Sequence, residues 1–285
     1  MLLFIENRFW NLSFYVCLLL LIAFILQVFC FTSFKIPSDS MVPTLYVGDK
    51  ILVNKFLMGA RLFNVFASLK NEQVDIYRMP GVRNVERNDV VVFNFPYKKG
   101  RKDSIRMDVM QYYVKRCIAL PGDTLEIRNG IFKIRGVDEK LGNIEAQRMI
   151  FQLTDAEKKR VGMRAFPRDK KMGWTILEFG PLAVPARGQK VVLTRESGLL
   201  YKQLISWEQK KRLTINEDTI MLGDSIITEY CFLKNYYFVA GDKAENSQDS
   251  RYWGMLPEEY IVGIATWVWY SEKGKARRIT DNNCQ

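Results

Sequence analysis

An uncharged, apolar segment near the N-terminus restricts the fold of this chain more than any other feature. Residues 9–34 contain no Asp, Glu, Lys or Arg, and residues 12–31 are dominated by apolar side chains. A helix of about twenty residues spans roughly 30 Å, the thickness of the hydrocarbon core of a bilayer. Cleavable signal peptides have shorter apolar regions that end in small residues, whereas Phe31 and Phe34 end this one. The sequence therefore predicts a retained transmembrane anchor over residues 1–34.

The charges that flank the anchor do not fix its orientation, because only Arg8 precedes it and Glu6 lies beside that arginine. A second apolar stretch, residues 260–270, is too short to span a bilayer and is rich in β-branched and aromatic residues. This stretch is predicted to form a buried strand, so that the chain crosses the membrane once.

Short runs of β-forming residues dominate the rest of the chain. They predict strands at residues 50–54, 89–95, 112–120, 124–133 and 235–241. The Asn129-Gly130 pair predicts a hairpin turn within the fourth run. Two short charged segments favour helix, residues 153–160 and 205–212. The sequence thus predicts a mainly β fold.

Polarity divides this part of the chain. Residues 134–234 are the most polar and the least patterned, which predicts an insertion into a β core formed by residues 35–133 and 235–272. Residues 273–285 are predicted to be a C-terminal tail.

The chain contains no histidine. This absence excludes Ser-His-Asp triads, Cys-His dyads, HExxH zinc sites and any imidazole base. The five cysteines are odd in number and form no CxxC pair, which argues against a disulfide framework or a cysteine-based zinc site. Any hydrolytic activity would need a different base.

Two serines follow the anchor directly. Ser38 and Ser40 lie in the segment PSDSMVPTL, where Pro37 and Pro43 restrict the backbone. Such a turn can present a hydroxyl rigidly, although an ordinary juxtamembrane loop with solvated serines has the same composition. A catalytic role for either serine requires a partner base.

Lys115 is the lysine best suited to be that base. Alternation along the predicted strand places it on one face with Tyr113, Cys117 and Ala119, none of which is charged. Burial among such neighbours lowers the pKa of a lysine from about 10.4, by up to several units. The alternative is a mid-strand lysine whose amine extends to water.

A third polar segment, residues 241–254, follows an apolar strand and reads GDKAENSQDSRYWG. Its composition is compatible with a plain surface turn in which Asp249 and Arg251 form an exposed ion pair.

Together these segments resemble those of type I signal peptidases, the membrane-bound Ser/Lys proteases of the bacterial export pathway. Four ordered blocks carry the resemblance, and they extend over essentially the whole chain. The blocks are PSDSMVPTL followed by GDKILVNK, then RNDVVVFNFP, YVKRCIALPGDTLEI and GDKAENSQDSRYWGMLP.

The resemblance implies a role for each matching residue. Ser40 corresponds to the nucleophile, Lys115 to the general base, Ser38 to a donor to the oxyanion, and Ser247 to the residue that orients the lysine amine. Further matching residues are implied to support the site: Met41, Pro43, Asp242, Asp249 and Arg251. One departure is that Lys243 and Ala244 replace the Asn-Arg pair common in the family. Cys117 is interpreted as a packing residue.

The resemblance also implies a β fold shared with repressor-type Ser/Lys proteases, carrying an inserted β-rich subdomain. The expected protein is a monomeric, single-pass enzyme of the bacterial inner membrane, with its catalytic domain on the outer face. It would remove signal peptides from exported precursor proteins and would need no metal or cofactor.

Two alternatives remain at this stage. One is a self-cleaving Ser/Lys protease of the repressor type, although those proteins have a DNA-binding region where this chain has an apolar helix. The other is an inactive, membrane-anchored binding protein, for which the altered Lys243-Ala244 pair would be the sign. The net charge of +11 is dispersed along the chain and accompanies no nucleic-acid-binding signature, so no nucleic-acid partner is expected.

Overall fold

The computed structural model describes residues 2–70, 72, 74–98, 104–161, 163–216 and 219–279. The α-helices are α1 (Leu2–Ile25), α2 (Val65–Leu69), α3 (Ile144–Gln152), α4 (Asp155–Val161), α5 (Arg195–Gln209) and α6 (Ser250–Trp253). A π-helical turn, Leu26–Cys30, continues α1, and short 3₁₀ turns cover Ala244–Asn246 and Glu258–Tyr260.

Strands make up most of the remaining regular structure, as the sequence predicts. They are β1 (Phe31–Lys35), β2 (Lys50–Asn54), β3 (Arg61–Leu62), β4 (Tyr77–Arg78), β5 (Val90–Phe95), β6 (Asp108–Ala119), β7 (Thr124–Arg128), β8 (Ile131–Ile134), β9 (Phe179–Ala183), β10 (Lys190–Val192), β11 (Leu213–Ile215), β12 (Ile220–Leu222), β13 (Ser225–Ile226), β14 (Glu229–Cys231), β15 (Tyr236–Ala240), β16 (Leu256–Pro257), β17 (Ile261–Tyr270) and β18 (Arg277–Arg278).

An eight-stranded antiparallel sheet forms the centre of the molecule. Its strand order is β1-β2-β17-β5-β6-β15-β16, with β18 added to β17. Smaller sheets surround it: β8-β7-β9, β11-β12-β13, β10-β14 and β3-β4. The prediction of a strand over residues 260–270 is confirmed by β17, which lies between β2 and β5.

Both faces of the central sheet are covered, which explains why β5 is apolar except at Asn94, whose side chain is hydrogen-bonded within the fold. Val91 and Phe93 point into the larger of two apolar clusters, whereas Val90 and Val92 point into the smaller one. Successive side chains of a strand lie on opposite faces, so a strand buried on both sides needs apolar residues on both faces. Met41 belongs to the smaller cluster and packs the serine-containing turn, residues 37–45, against the sheet.

The N-terminal helix meets this sheet without an intervening loop. The candidate membrane span is Trp10–Cys30, with a mean hydropathy of 2.6 and none of its length buried. Strand β1 begins at Phe31 and pairs with β2. The transmembrane anchor was predicted to extend to residue 34, but residues 31–34 belong to the sheet, because their backbone groups pair with those of β2.

Two predicted helices have mixed outcomes. The segment 153–160 is confirmed as helical by α4. The segment 205–212 was placed wrongly: α5 begins at Arg195, where Thr194 and Ser197 form a reciprocal cap, and ends at Gln209, because Lys210 adopts a left-handed conformation.

The predicted insertion, residues 134–234, contains helices α3 to α5 as well as six short strands. Its apolar side chains, among them Phe179 and Leu200, join the larger cluster of the central sheet. Part of the predicted tail, residues 280–285, lies outside the described residues, and β18 pairs with β17.

Candidate active site

The sheet brings Ser40 and Lys115 into direct contact. Ser40 lies on the turn after β1, and Lys115 lies in the middle of β6. The Lys115 Nζ donates a hydrogen bond of 2.6 Å to the Ser40 Oγ and one of 3.0 Å to the Val114 carbonyl. Both side chains are withdrawn from solvent, with 8% of Ser40 and 3% of Lys115 exposed. A hydroxyl and an amine at this distance can exchange a proton directly.

Burial changes the pKa of the Lys115 amine in the direction that this exchange requires. It lowers the pKa of Lys115 to about 8, against the opposing influence of the Asp249 and Asp242 carboxylates, and Arg251 lowers the pKa further. At pH 7 roughly one amine in ten is then neutral, compared with about 0.04% at the ordinary pKa of about 10.4. The fraction of Lys115 able to accept a proton is therefore more than a hundredfold larger than for a solvated lysine.

The three predicted neighbours of Lys115 on this face of β6 are uncharged and pack in or against the core, as alternation predicts. Tyr113 packs against the larger cluster, and Cys117 and Ala119 belong to it. The Lys115 Nζ lies 5.8 Å from the centre of the Tyr113 ring. Cys117 is fully buried, and burial raises the pKa of its thiol. Because a protonated, inaccessible thiol is a poor nucleophile, the geometry favours a packing role for Cys117.

Ser38 lies beside Ser40 at the mouth of the site. The two Oγ atoms are 3.4 Å apart, and Ser38 is exposed whereas Ser40 is buried. Pro43 follows on the outer side of the same turn, and Met41 is buried beneath it. The turn therefore presents two hydroxyls to one opening.

Ser247 is buried next to this turn, but its hydroxyl makes no hydrogen bond to Lys115. The Ser247 side chain instead lies beside Asp249, and it contributes to the lowered pKa of that carboxyl group. Gly241 separates the two segments: a Cβ at this position would lie 2.3 Å from the Ser247 Oγ and 2.6 Å from the Ser40 carbonyl oxygen. The orientation of the amine by Ser247 stays a prediction.

Asp242 forms a buried ion pair with Arg116, a residue that the sequence analysis missed. The Arg116 guanidinium donates two hydrogen bonds of 2.7 Å to the Asp242 carboxylate. It also donates to the Asn88 carbonyl at 2.7 Å and to the Thr44 hydroxyl at 3.0 Å. Arg116 thereby joins the serine-containing turn to the segment after β15. The sequence feature that could have indicated a role for Arg116 was its position next to Lys115, on the opposite face of β6.

Asp249 and Arg251 form the other ion pair, and it is buried rather than exposed. Two hydrogen bonds of 2.9 and 2.8 Å join their side chains, and the Gly241 N–H donates to Asp249 at 3.0 Å. Burial raises the pKa of Asp249, but Arg251 and these hydrogen bonds outweigh that effect, so the pKa is lowered overall. Asp249 is therefore ionised and holds the loop that carries Gly241.

The altered Lys243-Ala244 pair is integrated into the site. The Lys243 Nζ forms an ion pair with Asp39, and the Asn246 amide donates to the same carboxylate at 3.0 Å. The Ala244 carbonyl accepts a hydrogen bond of 2.9 Å from Arg251. The departure from the common family pattern thus leaves this loop supported on both sides.

A cleft of about 490 Å³ opens over the Ser40–Lys115 pair. Its lining includes the serine-containing turn, the first half of β6 and the polar segment after β15. The lining residues are Ile36, Pro37, Ser38, Asp39, Ser40, Met41, Tyr112, Tyr113, Val114, Lys115, Asn246 and Gln248.

Comparison with known proteins agrees with this arrangement. The family model described as signal peptidase, peptidase S26, matches residues 9–270. The chain belongs to this family. Signal peptidase I of Buchnera aphidicola subsp. Schizaphis graminum is 28% identical over 89% of this chain and 72% of the relative. Signal peptidase I of Buchnera aphidicola subsp. Baizongia pistaciae is 30% identical over 88% and 73%, and that of Pseudomonas aeruginosa is 29% identical over 88% and 69%. The resemblance to type I signal peptidases is confirmed, and with it the prediction of a serine endopeptidase.

Proposed function

We propose that this protein is a membrane-anchored endopeptidase that removes signal peptides from exported precursors, with Ser40 as the nucleophile and Lys115 as the general base. The 2.6 Å hydrogen bond between the buried amine and the Ser40 Oγ is the observation that carries the proposal. Membership of the signal peptidase family supports the substrate class.

The chemistry follows from the neutral amine. Lys115 takes the proton of Ser40 as its Oγ attacks the scissile carbonyl, and the Ser40 N–H and the Ser38 hydroxyl donate hydrogen bonds to the oxyanion. The tetrahedral intermediate then collapses to an acyl-enzyme, and the protonated Lys115 gives its proton to the leaving amine. Neutral again, Lys115 takes a proton from the water that attacks the ester carbonyl, and it returns this proton to the Ser40 Oγ as the C–Oγ bond breaks and the acyl product leaves.

An open strand edge supports the binding of an extended substrate. Strand β15 pairs with β6 only at residues 116–119, so within the described residues β6 has one neighbour, β5, before Lys115. Tyr112 and Val114 line the cleft along this edge. A peptide that pairs with the open edge would gain backbone hydrogen bonds and would place alternate side chains in the cleft.

The apolar helix α1 supports anchoring in the bacterial inner membrane, and the proposed substrates, exported precursors, call for a catalytic domain on the outer face. Because β1 ends at Lys35, Ser40 lies within about 18 Å of that strand along the chain. Exposed aromatic side chains on β1 and β17, namely Phe31, Trp267, Trp269 and Tyr270, are of the type that rests at a membrane interface. The site would then act close to the bilayer surface, where a signal peptide leaves the membrane.

The test is cleavage of a purified exported precursor by the full-length protein in detergent. Ser40→Ala and Lys115→Ala should each reduce kcat on the order of 10⁴-fold or more. Ser225→Ala, which alters an exposed serine, and Lys133→Ala, which alters an exposed mid-strand lysine, should retain full activity. Full activity of Ser40→Ala or Lys115→Ala would contradict the catalytic role of the residue that was replaced. An inactive wild-type protein would favour the alternative of a binding protein.

A further inference from the structure

Lys55 makes an unusual connection between the apolar helix and the catalytic sheet. It follows the last residue of β2 and lies beside Cys30, the last residue of the π-helical turn, from where its side chain reaches the end of the helix. Its Nζ donates hydrogen bonds of 2.5 Å to the Gln27 carbonyl and 2.7 Å to the Val28 carbonyl. Its backbone N–H donates to the Cys30 carbonyl at 2.7 Å.

These carbonyls need such a donor. The last four carbonyls of a helix have no partner within the helix, and in a lipid environment water cannot satisfy them. The negative end of the helix dipole also favours a cation at this position. Lys55 therefore supplies both the hydrogen bonds and the charge that the end of this helix requires.

The junction contains no free linker. Strand β1 starts immediately after the π-helical turn and pairs with β2 along all five of its residues, from Phe31 opposite Asn54 to Lys35 opposite Lys50. A further hydrogen bond of 2.9 Å runs from the Trp269 indole to Ser33. With the strand fixed along its length, the angle between helix and sheet depends on the turn that Lys55 holds.

We propose that Lys55 is a positioning residue that fixes the orientation of the membrane helix against the catalytic sheet, and so sets the height of Ser40 above a membrane-inserted substrate. This inference rests on the proposed function. A signal peptide in a bilayer presents its cleavage site at a fixed depth, so a tilted catalytic domain would miss it. A short soluble peptide can diffuse to the cleft in any orientation, so its cleavage does not depend on how the catalytic domain is tilted.

The test compares these two substrates with the full-length protein reconstituted in phospholipid vesicles. One substrate is a precursor inserted in the same vesicles, and the other is a soluble peptide with the same cleavage sequence. Lys55→Met keeps the length of the side chain but removes its donors and charge. It should lower kcat/KM for the inserted precursor about ten- to hundredfold, since small misplacements carry costs of this size, while activity on the peptide changes less than about twofold.

Two further variants sharpen the comparison. Lys55→Arg keeps a cation with several donors and should restore most of the activity on the inserted precursor. Lys35→Met removes an exposed lysine from β1 and should leave both activities unchanged. If the Lys55→Met variant cleaves both substrates as well as the wild type does, or loses activity on both substrates equally, the proposed positioning role of Lys55 is wrong. A wild-type protein that cleaves neither substrate would instead overturn the proposed function.

Discussion

Lys243 forms an ion pair with Asp39, the residue that separates Ser38 from Ser40. The Lys243 backbone N–H also donates to the Ser40 carbonyl at 3.1 Å. The backbone and the side chain of Lys243 therefore both bind the turn that carries Ser40. The Lys243 hydrogen bond is the main cause of a lowered pKa at Asp39, which keeps that carboxylate ionised throughout the neutral range. Lys243 thus makes a charged contact beside the nucleophile proposed for this site.

Breaking this pair should affect activity more clearly than stability. The side chains are 31% and 40% exposed, and pairs of this kind stabilise a fold by about 0 to 1 kcal/mol. Asp39→Asn should therefore lower kcat/KM for a soluble peptide about two- to fivefold with little change in Tm. The difference from wild type should shrink at 1 M salt, because salt screens the pair.

The charge swap Asp39→Lys with Lys243→Asp serves as the control for this prediction. It should recover part of the lost activity, because the attraction between the two segments returns. Equal activity of Asp39→Asn and the wild type at low salt would show that the pair does not hold the nucleophile.

The pH dependence of cleavage should report the buried amine. The pKa of Lys115 is about 8, and only the neutral amine can accept the Ser40 proton. Below this pKa, kcat/KM should fall about tenfold for each pH unit, and above it the rate should level off. Burial disfavours the ammonium, so the inflection must lie below the ordinary value of about 10.4.

A pH-rate profile of the wild type from pH 6 to about 10 measures this inflection. Lys133→Ala provides a matched control, since Lys133 is an exposed lysine in a strand and should leave the profile unchanged. A rate that is independent of pH over this range, or that still rises tenfold per unit up to pH 10 without levelling off, would exclude Lys115 as the base in its observed environment.

The sequence predicted the buried environment of Lys115 because strong local constraints specified it. The lack of histidine left lysine as the most suitable base, and alternation along β6 placed Lys115 among uncharged side chains. The mainly β fold followed in the same way from short apolar runs, most clearly at β5 and β17. In each case the residues adjacent in the sequence were sufficient to predict the environment of the side chains concerned.

Features that depend on distant pairing could not be predicted. Arg116 was missed because a charged residue on the other face of a strand usually meets solvent, whereas its partner Asp242 lies 126 residues away. The start of α5 was also missed, since the cap at Thr194 comes only two residues after the β-branched Val192 of β10, and Gly198 interrupts the helical pattern. Lys243 was noted as a departure, but its partner Asp39 emerged only from the fold.

The Arg116–Asp242 pair should be essential for stability. Both side chains are almost fully buried, with 0% and 1% exposed, so Asp242→Asn leaves an arginine without its counter-charge in the interior. Loss of one partner of such a pair costs about 3 to 5 kcal/mol. Urea unfolding of the protein in detergent should show this decrease in the free energy of unfolding.

A matched exposed pair makes the comparison specific. Lys190 and Glu229 are 3.7 Å apart, with 70% and 63% of their side chains exposed. Glu229→Gln should change the free energy of unfolding by less than about 1 kcal/mol. Similar effects of Asp242→Asn and Glu229→Gln would mean that the buried pair contributes no more than a surface pair.

Gly241 should be intolerant of even one added methyl group. A Cβ here would lie 2.3 Å from the Ser247 Oγ and 2.6 Å from the Ser40 carbonyl oxygen. The serine side chain could rotate away, but the carbonyl belongs to the backbone of the nucleophile, so the turn itself must move. A displacement of about 1 Å can reduce the rate about a hundredfold, and Gly241→Ala should reduce kcat by about this factor.

Two variants separate the possible causes of that loss. Gly274→Ala adds a methyl group where no atom lies within 4 Å, and it should retain full activity. Adding Ser247→Ala to Gly241→Ala removes the clash with the hydroxyl but leaves the clash with the Ser40 carbonyl, so kcat should stay low. If Gly241→Ala were as active as Gly274→Ala, the close approach between this loop and the nucleophile would not be needed for catalysis.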